Sequence, residues 1–279
     1  MSLTVTRLTR HTGAEITGVD LTAPIDADMA SELRQALLDH GVVFFRGQQL
    51  DDVSQRDLAA CFGPPETFQY GERPTPEAPE VHVIGFDGGD AAAGRGADTW
   101  HFDVTYLAEP PAATCLRAVV LPEVGGDTLF THAGAAYDGL AEPMRRLVDE
   151  LTAVHEYLAF APAFLAISGG DRATLAARVA EHPPVRHPVV RTHPESGRRC
   201  LFVNPNYTSA IEGLSRLESD KLLDLLYAHM QQPDYQCRFS WSPGAVAVWD
   251  NRAVMHYATA DYTQPRVMHR VVIAGDRPV

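Results

Sequence analysis

Thr99-Trp100-His101-Phe102-Asp103-Val104-Thr105-Tyr106 alternates polar with apolar residues, the period-two signature of a strand. In an extended chain residues i and i+2 point to one face, so this reading puts His101 and Asp103 side by side. A neutral imidazole beside a carboxylate supplies two of the three ligands of a 2-His-1-carboxylate metal set, which leaves further metal positions open. A third histidine is then required. The pair alone is equally consistent with a buried histidine donating to Asp103 or to the backbone. His193-Pro194-Glu195 repeats the spacing, but Pro194 and the following Ser-Gly place it in a turn between strands, where the two side chains need not converge.

Downstream of residue 98 strand patterns recur between turn signals: ATCLRAVVL, DTLFTH, PVVRTH, RCLFVN, QCRFSW, AVAVWD and RVMHRVVI. Helical spacing interrupts them at about 141–157, near 171–181, and at about 216–230. Strands outnumber the helices that could cross over between parallel pairs, so a mainly β sandwich or jelly roll with helical inserts is expected over a doubly wound sheet. Upstream, LTVTRLT and AEITGV read as short strands joined at Gly13. A helix over roughly 28–40 follows the cap candidates Asp26 and Asp28 and ends at Gly41. VVFFRG reads as a buried strand, and Ser54 as the cap of a second helix that stops at Gly63. Residues 1–63 are therefore a mixed α/β part of a single domain spanning 1–279. The Pro-, Gly- and Ala-rich stretch 64–98, broken by the strand-like VHVIGF, is expected to form a lid loop.

Composition narrows the function. A formal net charge of −13 repels nucleic acid and anionic membrane surfaces. An anionic ligand would need a local group of arginines. MSLTVTRLTR lacks the apolar core of a signal peptide and no 18-residue apolar run occurs, so no membrane partner and a cytoplasmic location are expected. Cys61, Cys115, Cys200 and Cys237 are scattered and read as reduced, mostly buried thiols. Near the end, AVAVWDNRAVMHYATADY places His256 just after a strongly patterned strand. Arg266 and Arg270 then alternate on one face, their stems about 13 Å apart at roughly 3.3 Å per residue, a spacing suited to different anionic groups. Surface pairing with Asp261 and Asp276 is the alternative.

Together W-H-x-D-x-T-Y at 100–106, G-G-D-T at 125–128, W-D-N-R at 249–252 and His256 followed by Arg266 resemble the taurine dioxygenase family. The similarity extends to G-A-E-I-T-G-V-D-L at 13–21, V-V-F-F-R-G-Q at 42–48, H-P-V-V-R-T-H-P-E-S-G at 187–197 and M-H-R-V-V-I-A-G-D at 268–276. The resemblance implies a double-stranded β-helix (jelly roll) that uses Fe(II), 2-oxoglutarate and O2 to hydroxylate a small organic anion, releasing succinate and CO2. By matching position it implies His101, Asp103 and His256 as iron ligands. It also implies Thr128 and Arg266 as the grip on the distal carboxylate of 2-oxoglutarate, with Arg270 beside the co-substrate and at the acidic end of the primary substrate, and Val104 offering its backbone N–H there. Phe68, Tyr70, Phe160 and Tyr207 are candidate pocket walls. Family members are often dimers or tetramers, which adds a homo-oligomer to the expectations.

Polar residues of the taurine-specific enzyme are replaced here by Phe68-Gln69-Tyr70 and Gly96-Ala97. A larger or more apolar sulfonate, alkyl sulfate or carboxylate is therefore expected ahead of taurine. Two other readings remain at this level: a jelly-roll metal enzyme that does not use 2-oxoglutarate, and a non-catalytic binding protein. Arg266 separates the first from the dioxygenase, and the complete ligand set argues against the second.

Overall fold

Val42–Phe45 is buried at every position, and its alternation divides two cores: Val42 and Phe44 enter one, Val43 and Phe45 the other. Val246–Asp250 repeats the pattern beside it, with Ala247 and Trp249 on the first side and Val246 and Val248 on the second. A computed structural model describes residues 3–67, 73–86 and 97–279. Among these, the largest sheet has the order Thr4–Arg7, Ala14–Thr17, Val42–Phe45, Val246–Asp250, Ala113–Val120, Arg266–Ile273, Val81–Phe86 and Arg73–Pro74, with Pro65–Glu66 also paired to Arg266–Ile273. Its pairings are antiparallel except between Ala14–Thr17 and Val42–Phe45.

One face of this sheet is covered by helices Ala27–His40 and Asp52–Ala60, whose Leu33, Leu37 and Leu58 pack on Val43, Phe45, Val248 and Val271. On the other face lies a three-stranded sheet, Gln236–Phe239, Thr128–His132 and Val254–Ala258. Phe44 joins the two, stacked on Phe239 at 4.1 Å and edge-on to Phe130 at 5.5 Å. Burying each such ring contributes about 1.5–3 kcal/mol. Smaller sheets, Val185–Pro188 with Thr152–His155 and Thr208–Ile211, and Val190–Thr192 with Arg199–Leu201, extend the structure.

The first helix ends at Gly41, whose φ of 72° is left-handed and whose N–H donates to Leu37 O. The second starts earlier than expected: Asp51 is its N-cap, and Ser54 is the reciprocal member of a capping box. The expected helical span 141–157 is broken, because Thr152–His155 is recruited as the central strand of a small sheet after helix Glu142–Val148. Within 64–98, Pro65–Glu66, Arg73–Pro74 and Val81–Phe86 are strands, while 68–72 and 87–96 lie outside the described residues. Among the described residues no helix is long and apolar enough to cross a membrane.

Candidate active site

His101 and His256 are brought together by an isolated antiparallel bridge in which each backbone N–H donates to the other's carbonyl, at 3.0 and 2.9 Å. Asp103 Oδ1 lies 3.9 Å from His101 Nε2 and 3.7 Å from His256 Nε2, and one ligand atom from each of the three residues lies within 4.8 Å of the others. All three are buried. His101 Nδ1 is 2.7 Å from Thr99 O, which makes Nδ1 the protonated nitrogen and turns the Nε2 lone pair towards the cluster. His256 packs its ring against Trp249 at 4.6 Å.

Electrostatics keep this donor set ready for a cation. Burial pushes the His256 imidazole down to about 3, with the neighbouring His101 acting in the same direction. Burial also lowers His101, against the opposing pull of Asp103. For Asp103 burial acts upward, but His256, Arg270 and His101, with a hydrogen bond from Thr114, hold the carboxyl below the ordinary carboxylate range. Two neutral imidazoles and one carboxylate suit a divalent transition metal such as Fe(II).

The segment 99–106 is not the strand its alternation predicts. After the bridge at His101 the chain turns, and Val104 has φ 44°, a conformation that costs a β-branched residue energy. Asn251 holds that turn: its Oδ1 accepts the Asp103 N–H at 2.7 Å, and its Nδ2 donates to Asp103 O and Pro111 O, both at 3.1 Å. Thr114 Oγ1 donates to Asp103 Oδ2 at 2.8 Å, leaving Oδ1 to face the histidines. His101 and Asp103 thus converge through a clamped turn and not through a shared strand face. Beyond it, Thr105 is tied to His155 at 2.8 Å and Asn204 at 2.9 Å, and His187 Nε2 lies 2.9 Å from Thr105 O. Those buried histidines brace the turn.

Arg266 and Arg270 lie on strand Arg266–Ile273. Arg266 is 8% exposed, and its Nε is buried with no hydrogen-bond partner. Burial lowers its pKa from a very high starting value, so it remains a cation. Asp261 and Asp276 serve other groups: Asp261 accepts the Gly126 N–H, and Asp276 pairs with Arg191 at 2.8 Å. The Gly-Gly of G-G-D-T explains how the loop reaches this arginine. Both glycines have positive φ, a Cβ on Gly125 would sit 2.6 Å from Asp261 O, and one on Gly126 would sit 3.1 Å from Arg266 Nε. Thr128 follows, 2% exposed, with Oγ1 accepting the Trp241 indole N–H at 3.0 Å. Arg270 is nearer the triad, its Nη1 3.7 Å from Asp103 Oδ1.

Val104 and Tyr207 share one apolar cluster with Tyr106, Tyr157 and Val272, and Phe160 packs onto it, 5.6 Å from Tyr207. Burial, then the nearby Asp103, pushes the Tyr207 phenol up. Phe68 and Tyr70 lie outside the described residues. His193 and Glu195 stay out of the triad, as their turn suggested. His193 Nε2 meets Asp250 Oδ2 at 2.9 Å, Arg252 bridges Asp250 and Glu195, and Glu195 also pairs with Arg34. Sequence reasoning missed Asn251, Thr114 and Trp241 as supports; the W-D-N-R motif signalled the first without its role.

A buried two-histidine, one-carboxylate cluster flanked by two arginines on a β scaffold defines a candidate non-haem metal enzyme that handles anions. The chain belongs to the family described as "Taurine catabolism dioxygenase TauD, TfdA family", whose model matches residues 4–272. It is 40% identical over 278 residues, covering 96% of this chain and 88% of the relative, to an alpha-ketoglutarate-dependent sulfate ester dioxygenase of Pseudomonas putida. It is similar to the crystal structure of a taurine dioxygenase from Burkholderia xenovorans, with TM-score 0.84, 37% identity, and coverage of 100% of this chain and 91% of that one. The structure of AAD-2 in complex with Mn(II) and N-oxalylglycine matches with TM-score 0.82 and 26% identity over 100% and 99% of the two chains.

Proposed function

We propose that this chain is a single-domain, double-stranded β-helix (jelly-roll) dioxygenase dependent on Fe(II) and 2-oxoglutarate (alpha-ketoglutarate), hydroxylating a small organic anion. The observation that carries the reading is the buried convergence of His101, Asp103 and His256 within 4.8 Å. The antiparallel strands and packed sheets fit the jelly roll, and the sulfate ester activity in the P. putida relative's name favours a sulfate ester or related anion as substrate.

When bound, the metal supplies oxidising chemistry: with 2-oxoglutarate and O2, a substrate C–H becomes C–OH while the co-substrate yields succinate and CO2. The protein's own residues do the rest. His101, Asp103 and His256 would hold the metal through Nε2, Oδ1 and Nε2, the atoms that converge in the buried cluster. Arg266, with Thr128, takes the distal carboxylate of 2-oxoglutarate, where a guanidinium in a dry setting grips an anion strongly. Arg270 and the N–H of Val104 receive the anionic end of the substrate. Tyr207 and Phe160 cover its apolar part and exclude water.

Anaerobic addition of Fe(II) and 2-oxoglutarate to the protein should give the weak visible charge-transfer band of a chelated ferrous site. Metal-loaded protein without that band would overturn the reading. Oxygen-consumption screening of sulfate esters, sulfonates and carboxylates then identifies the substrate.

A further inference from the structure

Trp241 is not a member of the ligand cluster, and its indole N–H is committed to Thr128 Oγ1. An indole is a donor only. Thr128 must therefore accept from Trp241, and its single O–H hydrogen is left to point elsewhere. Among the described residues no protein acceptor takes that hydrogen. Two residues before Thr128, Gly126 packs on Arg266, whose buried Nε–H is also unspent. Two unspent donors, one of them on a cation, complement a group that only accepts: a carboxylate.

The indole is held in place independently of any ligand. Its ring packs edge-on to Phe239 at 5.1 Å, and Phe239 lies directly opposite Thr128 in the small sheet. The turn that follows is pinned where Gln48 N–H donates to Gly244 O at 2.8 Å and Arg46 Nη1 donates to Ser242 Oγ at 3.2 Å. Gly244 has φ 70°, and a Cβ there would collide with Gln48 O, so the approach is fixed by glycine.

We propose that Trp241 is a positioning residue for the distal carboxylate of 2-oxoglutarate: by donating its indole N–H it fixes Thr128 as a donor aimed at the anion beside Arg266. The inference rests on the co-substrate reading above. Without the indole, the threonine hydroxyl can rotate and spend its hydrogen elsewhere.

The test is calorimetric titration of Zn(II)-loaded protein, which does not turn over, with 2-oxoglutarate and with 2-oxopentanoate, which has the same 2-oxo acid end but no distal carboxylate. Trp241→Phe should weaken 2-oxoglutarate roughly five- to tenfold, the net contribution of about one hydrogen bond, and leave 2-oxopentanoate unchanged. In a Thr128→Val background the same substitution should add nothing. Equal losses for both acids, or an unaltered 2-oxoglutarate affinity, would overturn the positioning role. An Arg266→Ala variant that binds 2-oxoglutarate as tightly as the parent would instead overturn the co-substrate reading. The indole N–H resonance of Trp241 in the unsubstituted protein, assigned through its sequential backbone signals, should shift with 2-oxoglutarate and not with 2-oxopentanoate. That readout stands even if Trp241→Phe does not fold; a resonance insensitive to 2-oxoglutarate counts against the proposal.

Discussion

His101 and His256 face one another across a single antiparallel bridge, exchanging both backbone hydrogen bonds with their ring centroids 4.2 Å apart. The bridge is made by the backbone, so the cluster's framework does not depend on either ring. His256→Ala should therefore keep a cooperative unfolding transition. It should lose metal affinity by more than about 100-fold, given that even outer-shell changes cost 10- to 100-fold. Metal content after gel filtration, set beside a thermal melt, checks both halves.

Asn251 is fully buried and makes three hydrogen bonds that hold the Asp103 turn. Asn251→Ala leaves an N–H and two carbonyls without partners, at about 1–3 kcal/mol for each group left unsatisfied. It also frees Val104 to leave its positive φ. Both a lower melting temperature and a roughly 10- to 100-fold weaker metal site are expected. A variant that melts lower yet binds metal with parental affinity would show that the turn positions itself.

With His256 lowered to about 3, His101 lowered by burial and Asp103 held below its ordinary range, the cluster at neutral pH is two neutral imidazoles and a carboxylate. Metal loading then displaces no protons from them. The heat of Mn(II) binding at pH 7 should be the same in buffers of different ionisation enthalpy. For depressed histidines the unprotonated, metal-ready form persists as pH falls, so proton competition at His256 should emerge only as pH approaches about 3. A buffer-dependent heat at pH 7 would mean that a ligand is protonated in the free protein.

Gly126 has φ 73°, and a methyl group there would press on Arg266 Nε at 3.1 Å and Cδ at 3.2 Å. Gly126→Ala should displace the guanidinium and raise the 2-oxoglutarate requirement several-fold, on top of a backbone strain of about 1–2 kcal/mol. Steady-state kinetics in which kcat falls while the 2-oxoglutarate KM stays fixed would place the damage elsewhere.

Asp250 is 1% exposed and binds His193 and Arg252, which together hold its carboxyl far below the ordinary range. Asp250→Asn removes the more buried of the two carboxylates that face Arg252, with Glu195 left as its partner, so the loss should fall below the roughly 3–5 kcal/mol of a fully broken buried pair. The urea midpoint should drop with an unchanged slope. Metal stoichiometry at low denaturant should stay at the parental value, because Asp250 does not face the triad.

The members of the buried cluster and their order were legible from sequence because a candidate metal site demands particular side chains, and W-H-x-D with a downstream histidine names them. The geometry was not. Alternation from Thr99 to Tyr106 suggests a strand, whereas the observed turn depends on Asn251, 148 residues further along, and on a φ that no local pattern announces. Trp241 escaped for a similar reason: QCRFSW reads as one strand, yet the strand stops at Phe239 and the indole acts across to Thr128, 113 residues away. Arg266 was legible as a candidate anion group through its neighbours, but its burial came only with the packed sheet. Helix Ala27–His40 and its Gly41 stop are set within a few residues of chain, and their reading held to within one residue.

The aromatic cluster of Tyr106, Tyr157 and Tyr207 draws four of its outer members, Phe160, Phe164, Leu175 and Val179, from the helical insert spanning 157–181, and another, Leu107, from just after the Asp103 turn. The ligand cluster rests on the Asp103 turn and the Val254–Ala258 strand, and Val104 and Tyr106, next along that turn, belong to the aromatic cluster. The Asp103 turn is thus shared: it carries one member of the ligand cluster, and the residues just after it meet the insert. Side chains exchanged on the insert would therefore press on Val104 and Tyr106, and through them on the turn that carries Asp103.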